Sequence, residues 1–277
     1  MELRPEAIHA PGSGRLTAFF SLTFLVTWGC WFGWSALALG LPEISPLFLL
    51  GVFAPALVAL ALTWRAGGRQ EVRALLQRIG RWRVAVRYYA FALGYMAAIR
   101  LIAALLHRLF AGAWPVFGRT PCYVMAFAIV FSTWVQAGEE IGWRGFALPR
   151  LAARFGLSGA AVLLGVIWAC WHLPLFFLPD TGSTGQSFPV YLLQVTAISV
   201  AMAWLYWRTG GSLLLVMLMH ASVNNTSEIV PAAVPGASDP LTLSGSMIAW
   251  LTATVSWIVA AFLLVRMRTT PAPAGQA

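Results

Sequence analysis

SPLFLLGVFAPALVALALTW, residues 45–64, runs for 20 positions without a charged side chain. The hydrocarbon core of a bilayer is about 30 Å thick, and a helix crosses it in about 20 apolar residues. Seven further stretches read the same way: roughly 16–40, 88–111, 122–149, 158–178, 188–207, 211–230 and 243–265. No alternating ten-residue pattern of a membrane barrel is visible, so these spans are read as helices. The predicted fold is all-α, a polytopic membrane bundle of about eight helices.

The whole chain agrees with that reading. Of its 277 residues 60% are hydrophobic and 10% charged, and its mean hydropathy is +0.77. Soluble chains carry about 25% charged residues. Collagen, disordered tails and disulfide-rich secreted modules are excluded by the same figures. The net charge is +9, and every base is arginine. In this apolar background the charge sets membrane orientation, and no nucleic-acid partner is expected.

Arginine placement gives the orientation. Arg4 and Arg15, the run from Arg65 to Arg87, Arg144, Arg150, Arg154, Arg208, Arg266 and Arg268 all fall on one side of the alternating spans. Only Arg119 falls in a loop on the other side, with Glu43, Asp180, Glu228 and Asp239; Arg100 and Arg108 lie within the third span. The positive-inside rule then predicts N-in and C-in. Loop 65–87 reads as a basic amphipathic helix on the inner leaflet. The first apolar run is too long for a signal peptide and is taken as a retained span. Cys30, Cys122 and Cys170 are read as buried, inert thiols, because the count is odd and no CxxC occurs. Tail 269–277 is read as a short flexible Pro/Ala segment.

Ionisable groups inside a span are costly and mark function. Three clusters stand out. Gly138-Glu139-Glu140-Ile141-Gly142-Trp143-Arg144 holds two adjacent carboxylates that point about 100° apart on a helix. Glu140 and Arg144 are four apart and pair on one face, which leaves Glu139 free for chemistry. Trp168-Ala169-Cys170-Trp171-His172 sets an aromatic and a histidine at i and i+4. His220-Ala221-Ser222-Val223-Asn224 does the same for a histidine and an amide. Each cluster alone also has a packing reading, as an interfacial ion pair, a hydrogen-bonded core histidine or a helix–helix contact. Together, Glu139, His172, His220 and Asn224 come from three spans and can meet in one wet cavity. A base that takes a proton from water, with neutral donors for an oxyanion, is the equipment of a hydrolase. Intramembrane Glu and His also make proton relays, and a non-enzymatic binding or immunity protein is a further class.

These residues resemble the CAAX prenyl protease and bacteriocin-processing (Abi) family of intramembrane endopeptidases. That family carries E-E-x-x-x-R, F-x-x-x-H and H-x-x-x-N on successive helices. Here they read Glu139-Glu140-x-x-x-Arg144, Trp168-x-x-x-His172 and His220-x-x-x-Asn224, with Trp168 in place of the usual Phe. The resemblance covers about residues 121–230. It implies a glutamic-type endopeptidase, with Glu139 as base, His172 orienting water, and His220 and Asn224 as oxyanion hole. Glu140 and Arg144 would hold the site together. It divides the chain into N-terminal helices (1–120), a catalytic core (121–230) and a last helix with tail (231–277). Glu with two His is also a plausible zinc set. No HExxH is present, and a metal-free site is expected. The expected partners are membrane lipid and a membrane-associated protein or peptide substrate. The expected place is a bacterial cytoplasmic membrane, with cleavage near its inner half.

Overall fold

The computed structural model describes residues 13–37, 45–179, 181–183, 185–231, 239–243 and 245–268. The predicted flexible tail lies outside them. Among the described residues the chain is helical throughout its regular structure: α1 (Ser13–Ala36), α2 (Pro46–Gln77), α3 (Val86–Ala111), α4 (Cys122–Val135), α5 (Ala137–Glu140), α6 (Leu148–Trp171), α7 (Phe188–Arg208), α8 (Leu213–Thr226) and α9 (Met247–Arg268). A π-helical turn, Ile141–Ala147, joins α5 to α6.

Among the described residues, six helices are long and apolar enough to cross a membrane, against the eight spans read from the sequence. The difference has two sources. Cys122–Trp171 is helical over 50 residues. A straight helix of that length would be roughly 75 Å long, far more than a bilayer. It breaks at Gly156, whose φ of 69° and ψ of 162° are open to glycine and strained for other residues. The two arms correspond to the expected fourth and fifth spans. The expected seventh span is α8, whose 14 residues are mostly buried and end in a 3-10 turn, Ser227–Ile229.

Outward faces are apolar. Tyr123, Phe127, Phe131 and Trp134 line one exposed stripe of α4 at the three-to-four-residue helical spacing. Inside, one hydrophobic cluster runs from Phe19 in α1 to Met267 in α9. α7 is its centre: from Val195 to Leu205 only Trp204 is not buried.

α2 shows how a proline is accommodated. Pro55 has no N–H to offer the carbonyl four residues back. The Thr27 hydroxyl of α1 donates to that carbonyl, Gly51 O, at 2.8 Å. α2 bends again at Gly67 and Gly68 and continues to Gln77. Helix in loop 65–87 therefore ends at Gln77, followed by a 3-10 turn, Arg78–Gly80, and irregular chain up to α3. Its arginines are not all free for lipid. Arg78 donates to Tyr206 Oη at 2.7 Å and to Gly145 O at 3.3 Å. Arg81 donates to Gly210 O, and its own carbonyl accepts from Ser212 Oγ at 2.6 Å. The cysteines are free, as read, but Cys122 is exposed and the other two are only half-buried.

Candidate active site

The Glu139-Glu140 pair stands where α5 gives way to the π-helical turn. Both backbone N–H groups donate to Gln136 O, at 3.1 and 2.9 Å. The turn lies directly on α2. A Cβ built on Gly142 would stand 2.6 Å from Pro55 O, so only glycine permits this approach. π-helical turns are rare and concentrate at functional sites.

Glu140 is fully buried. Its Oε1 accepts from Arg144 Nη1 at 2.8 Å and faces His220 Nδ1 at 2.8 Å. The expected Glu140–Arg144 pair is thus present, and His220 is a third member that spacing did not reveal. The Arg144 guanidinium also lies 4.3 Å over the Trp168 ring. A buried charge needs this degree of pairing, since its desolvation costs several kcal/mol.

Glu139 points another way, as the helical geometry required. Its Oε2 accepts from Trp168 Nε1 at 2.7 Å. The indole also stands edge-on to both histidines, 5.7 Å from His172 and 5.1 Å from His220 between ring centroids. The sequence identified Trp168 only as an apolar wall. It is a hydrogen-bond donor to a carboxylate, which the usual Phe cannot be.

Both imidazoles are held by Nδ1. His172 Nδ1 lies 2.9 Å from Trp168 O. A carbonyl oxygen only accepts, so Nδ1 carries the proton and the neutral ring keeps its lone pair on Nε2. At His220 the Glu140 carboxylate holds Nδ1 as a donor. Trp171, Tyr191 and Trp31 crowd His172, with centroids at 4.6, 5.7 and 6.4 Å. Trp28 of α1 donates to Trp171 O at 2.9 Å, tying off the end of α6 beside the histidine.

Glu139, Trp168, His172, His220 and Asn224 line one cavity of about 580 Å³. That is the size of a small-ligand or peptide-segment site. Glu140 and Arg144 sit behind its wall with no exposed surface. Asn224 is exposed to the cavity on the same face of α8 as His220. Its neighbour Asn225 instead donates to Ser132 Oγ at 3.0 Å and Ala221 O at 2.8 Å, so it serves packing against α4. Among the described residues no three His, Cys, Asp or Glu side chains are grouped to share a metal ion.

Chain direction places the cavity. It is lined by the first half of α7, the end of α8, the start of α9 and the connection between α6 and α7. The arginines gather at the opposite ends of these helices: Arg208 closes α7, Arg266 is near the end of α9, and Arg150 and Arg154 are near the start of α6. The cavity therefore extends away from the arginine-rich end.

Residues 119–226 match the family model described as type II CAAX prenyl endopeptidase Rce1-like. A relative named CAAX prenyl protease 2, from Methanococcus maripaludis, is 23% identical over 227 residues, which cover 76% of this chain and 83% of the relative.

Proposed function

We infer, from a core that belongs to the CAAX protease family, that this multi-pass membrane protein is an endopeptidase in which Glu139 activates water against a peptide bond. One observation carries the assignment: Glu139, His172, His220 and Asn224, from three separate segments, line one cavity.

Water sits between the Glu139 carboxylate and His172 Nε2. Glu139 takes one proton, and His172 accepts a hydrogen bond from the other, which fixes the attacking lone pair. The water oxygen bonds to the carbonyl carbon. Negative charge moves to the carbonyl oxygen, where Asn224 Nδ2–H and His220 donate to it. With Nδ1–H engaged by Glu140, His220 donates from Nε2 as the imidazolium. The tetrahedral species then expels the amine, to which Glu139 returns its proton, and a carboxyl and an amino terminus are left. Glu140 and Arg144 touch no substrate; they hold His220 and the Trp168 ring.

The substrate is a membrane-associated protein or peptide whose extended segment enters the cavity. The arginine-rich end faces the cytoplasm of a bacterial cell, N-in and C-in, so the cavity opens toward the opposite leaflet.

Comparative peptidomics of membranes from cells with the wild-type chain and with Glu139→Gln tests the reading. Uncleaved precursors are expected to accumulate in the variant, which still inserts. Identical peptide populations would overturn it. Glu139-dependent proton flux in proteoliposomes without any cleavage would favour a relay instead.

A further inference from the structure

The buried arginines near the cavity have carboxylates to answer them. Arg144 is paired with Glu140, and Arg100, which reaches the cavity wall from α3, has the charge of Glu228 close by. At the other end of the bundle the balance is different. Arg15 comes from the first turn of α1, Arg78 from the 3-10 turn after α2 with Arg81 behind it, and Arg150 from the first turn of α6. Arg15 and Arg78 stand near enough to Arg150 for their charges to repel it. The charges of Arg78, Arg81 and Arg150 all reach the buried Tyr206 hydroxyl. The carboxylate that offsets them at Arg150 is Glu71, and it forms no ion pair among the described residues. Positive charge is therefore in excess here.

Part of each guanidinium is already engaged, which fixes its position. Arg78 Nη1 donates to Tyr206 Oη at 2.7 Å and to Gly145 O at 3.3 Å. Arg150 Nη1 donates to Phe146 O at 2.8 Å, and its guanidinium lies 3.8 Å over the Phe146 ring. Each guanidinium has five N–H donors. Nη2 of Arg78 and Nη2 of Arg150 meet no protein acceptor among the described residues, and neither is buried. Arg15 is exposed beside them.

Like charges held together repel, and an anion relieves them. A phosphate accepts from several guanidinium forks at once. The surroundings favour a phosphate that belongs to a lipid. The cluster lies at the arginine-rich end of the helices. Leu76 and Trp82, which flank Arg78 and Arg81 in sequence, are exposed apolar side chains, and tryptophan gathers at the headgroup level of a bilayer. We propose that Arg15, Arg78 and Arg150 form a binding site for the phosphate of an anionic lipid. None of the three lines the cavity, so the site does not depend on the endopeptidase reading. It bears on the cavity all the same. Gly145 and Phe146, whose carbonyls Arg78 and Arg150 hold, belong to the π-helical turn that follows Glu140. An anion that fixes both guanidinium groups fixes this turn, and with it the carboxylates at its start.

The test is native mass spectrometry of the full-length, detergent-solubilised protein offered phosphatidylglycerol and phosphatidylcholine together. One phosphatidylglycerol should be retained, with a preference of roughly tenfold, as expected for a charge-assisted contact. It should also raise the unfolding midpoint, because a ligand of the folded state stabilises that state. Arg150→Gln should remove the preference, and Arg150→Lys, which keeps the charge without the fork, should retain part of it. Arg15→Gln, at an exposed position where folding is not at stake, should weaken it, and Glu71→Gln should strengthen it. Arg69→Gln with Arg73→Gln is the control. These exposed arginines stand two residues either side of Glu71, so they point away from it on the helix, and their loss should change nothing. Equal retention of the two lipids, or a preference that survives both Arg15→Gln and Arg150→Gln, overturns the proposal. An equal loss in the Arg69 and Arg73 control also overturns it, by reducing the site to diffuse surface charge. Inorganic phosphate or a Glu-rich peptide bound as tightly as phosphatidylglycerol would assign the cluster to free phosphate or to an acidic protein, and remove the lipid.

Discussion

The indole N–H of Trp168 donates to Glu139 Oε2 at 2.7 Å, across 29 positions of sequence. One side chain thereby orients the candidate base, covers the Arg144 guanidinium and abuts both histidines. Trp168→Phe keeps most of the ring and deletes the donor. Hydrogen bonds to charged groups contribute about 1.5–3 kcal/mol. The variant should fold, keep its KM and lose about tenfold or more in kcat. A rise in KM with kcat held would mean that the indole acts as a substrate wall and not through Glu139.

Arg144→Ala leaves Glu140 buried with only His220 for company. Removing one partner of a buried pair costs about 3–5 kcal/mol. Thermal unfolding in detergent should show a strong loss of stability, with activity falling in the same variant. An unchanged midpoint would mean that water already reaches this pair.

Gly142→Val sets a side chain against Pro55 O, where even a Cβ would stand at 2.6 Å. Overpacking of a tight core costs about 1–3 kcal/mol. The unfolding midpoint should fall and the Glu139-Glu140 segment should shift off its partners, so activity drops more than stability predicts. Normal activity in Gly142→Val would show that α2 yields easily.

A Glu139 base and a zinc-held water are separable in solution. Cleavage should survive prolonged treatment with a strong zinc chelator, and Glu139→Gln should lower it by roughly two to four orders of magnitude, the usual range for a general base. Loss on chelation that zinc restores would move the chemistry to a metal.

The orientation is open to labelling because Cys122 is an exposed thiol at the start of α4. This end of α4 follows the end of α3 that is remote from Arg87. A membrane-impermeant maleimide should modify Cys122 in intact cells. Modification only after permeabilisation would invert the topology.

The membrane class, the helical spans and the meeting of Glu139 with His172, His220 and Asn224 were legible in the residues themselves. Hydropathy is a sum over 20 positions, and costly polar groups inside a span must find one another or water. The Glu140–Arg144 pair was legible too, because four residues is one helical turn. Span count was less so: composition cannot tell a 14-residue buried helix from a crossing one, nor where Gly156 breaks a helix of 50 residues. The bond from Trp168 to Glu139, the contact of His220 with Glu140 and the entry of Arg100 from α3 into the cavity were not legible. Each joins residues at least 29 positions apart, and side-chain direction across helices depends on how the helices cross and rotate. Sequence alone determined that polar groups must gather inside this apolar chain. Packing decided which atom of each faces the cavity and which is held behind its wall, because hydrogen bonds act over about 3 Å and only the folded bundle sets distances that short.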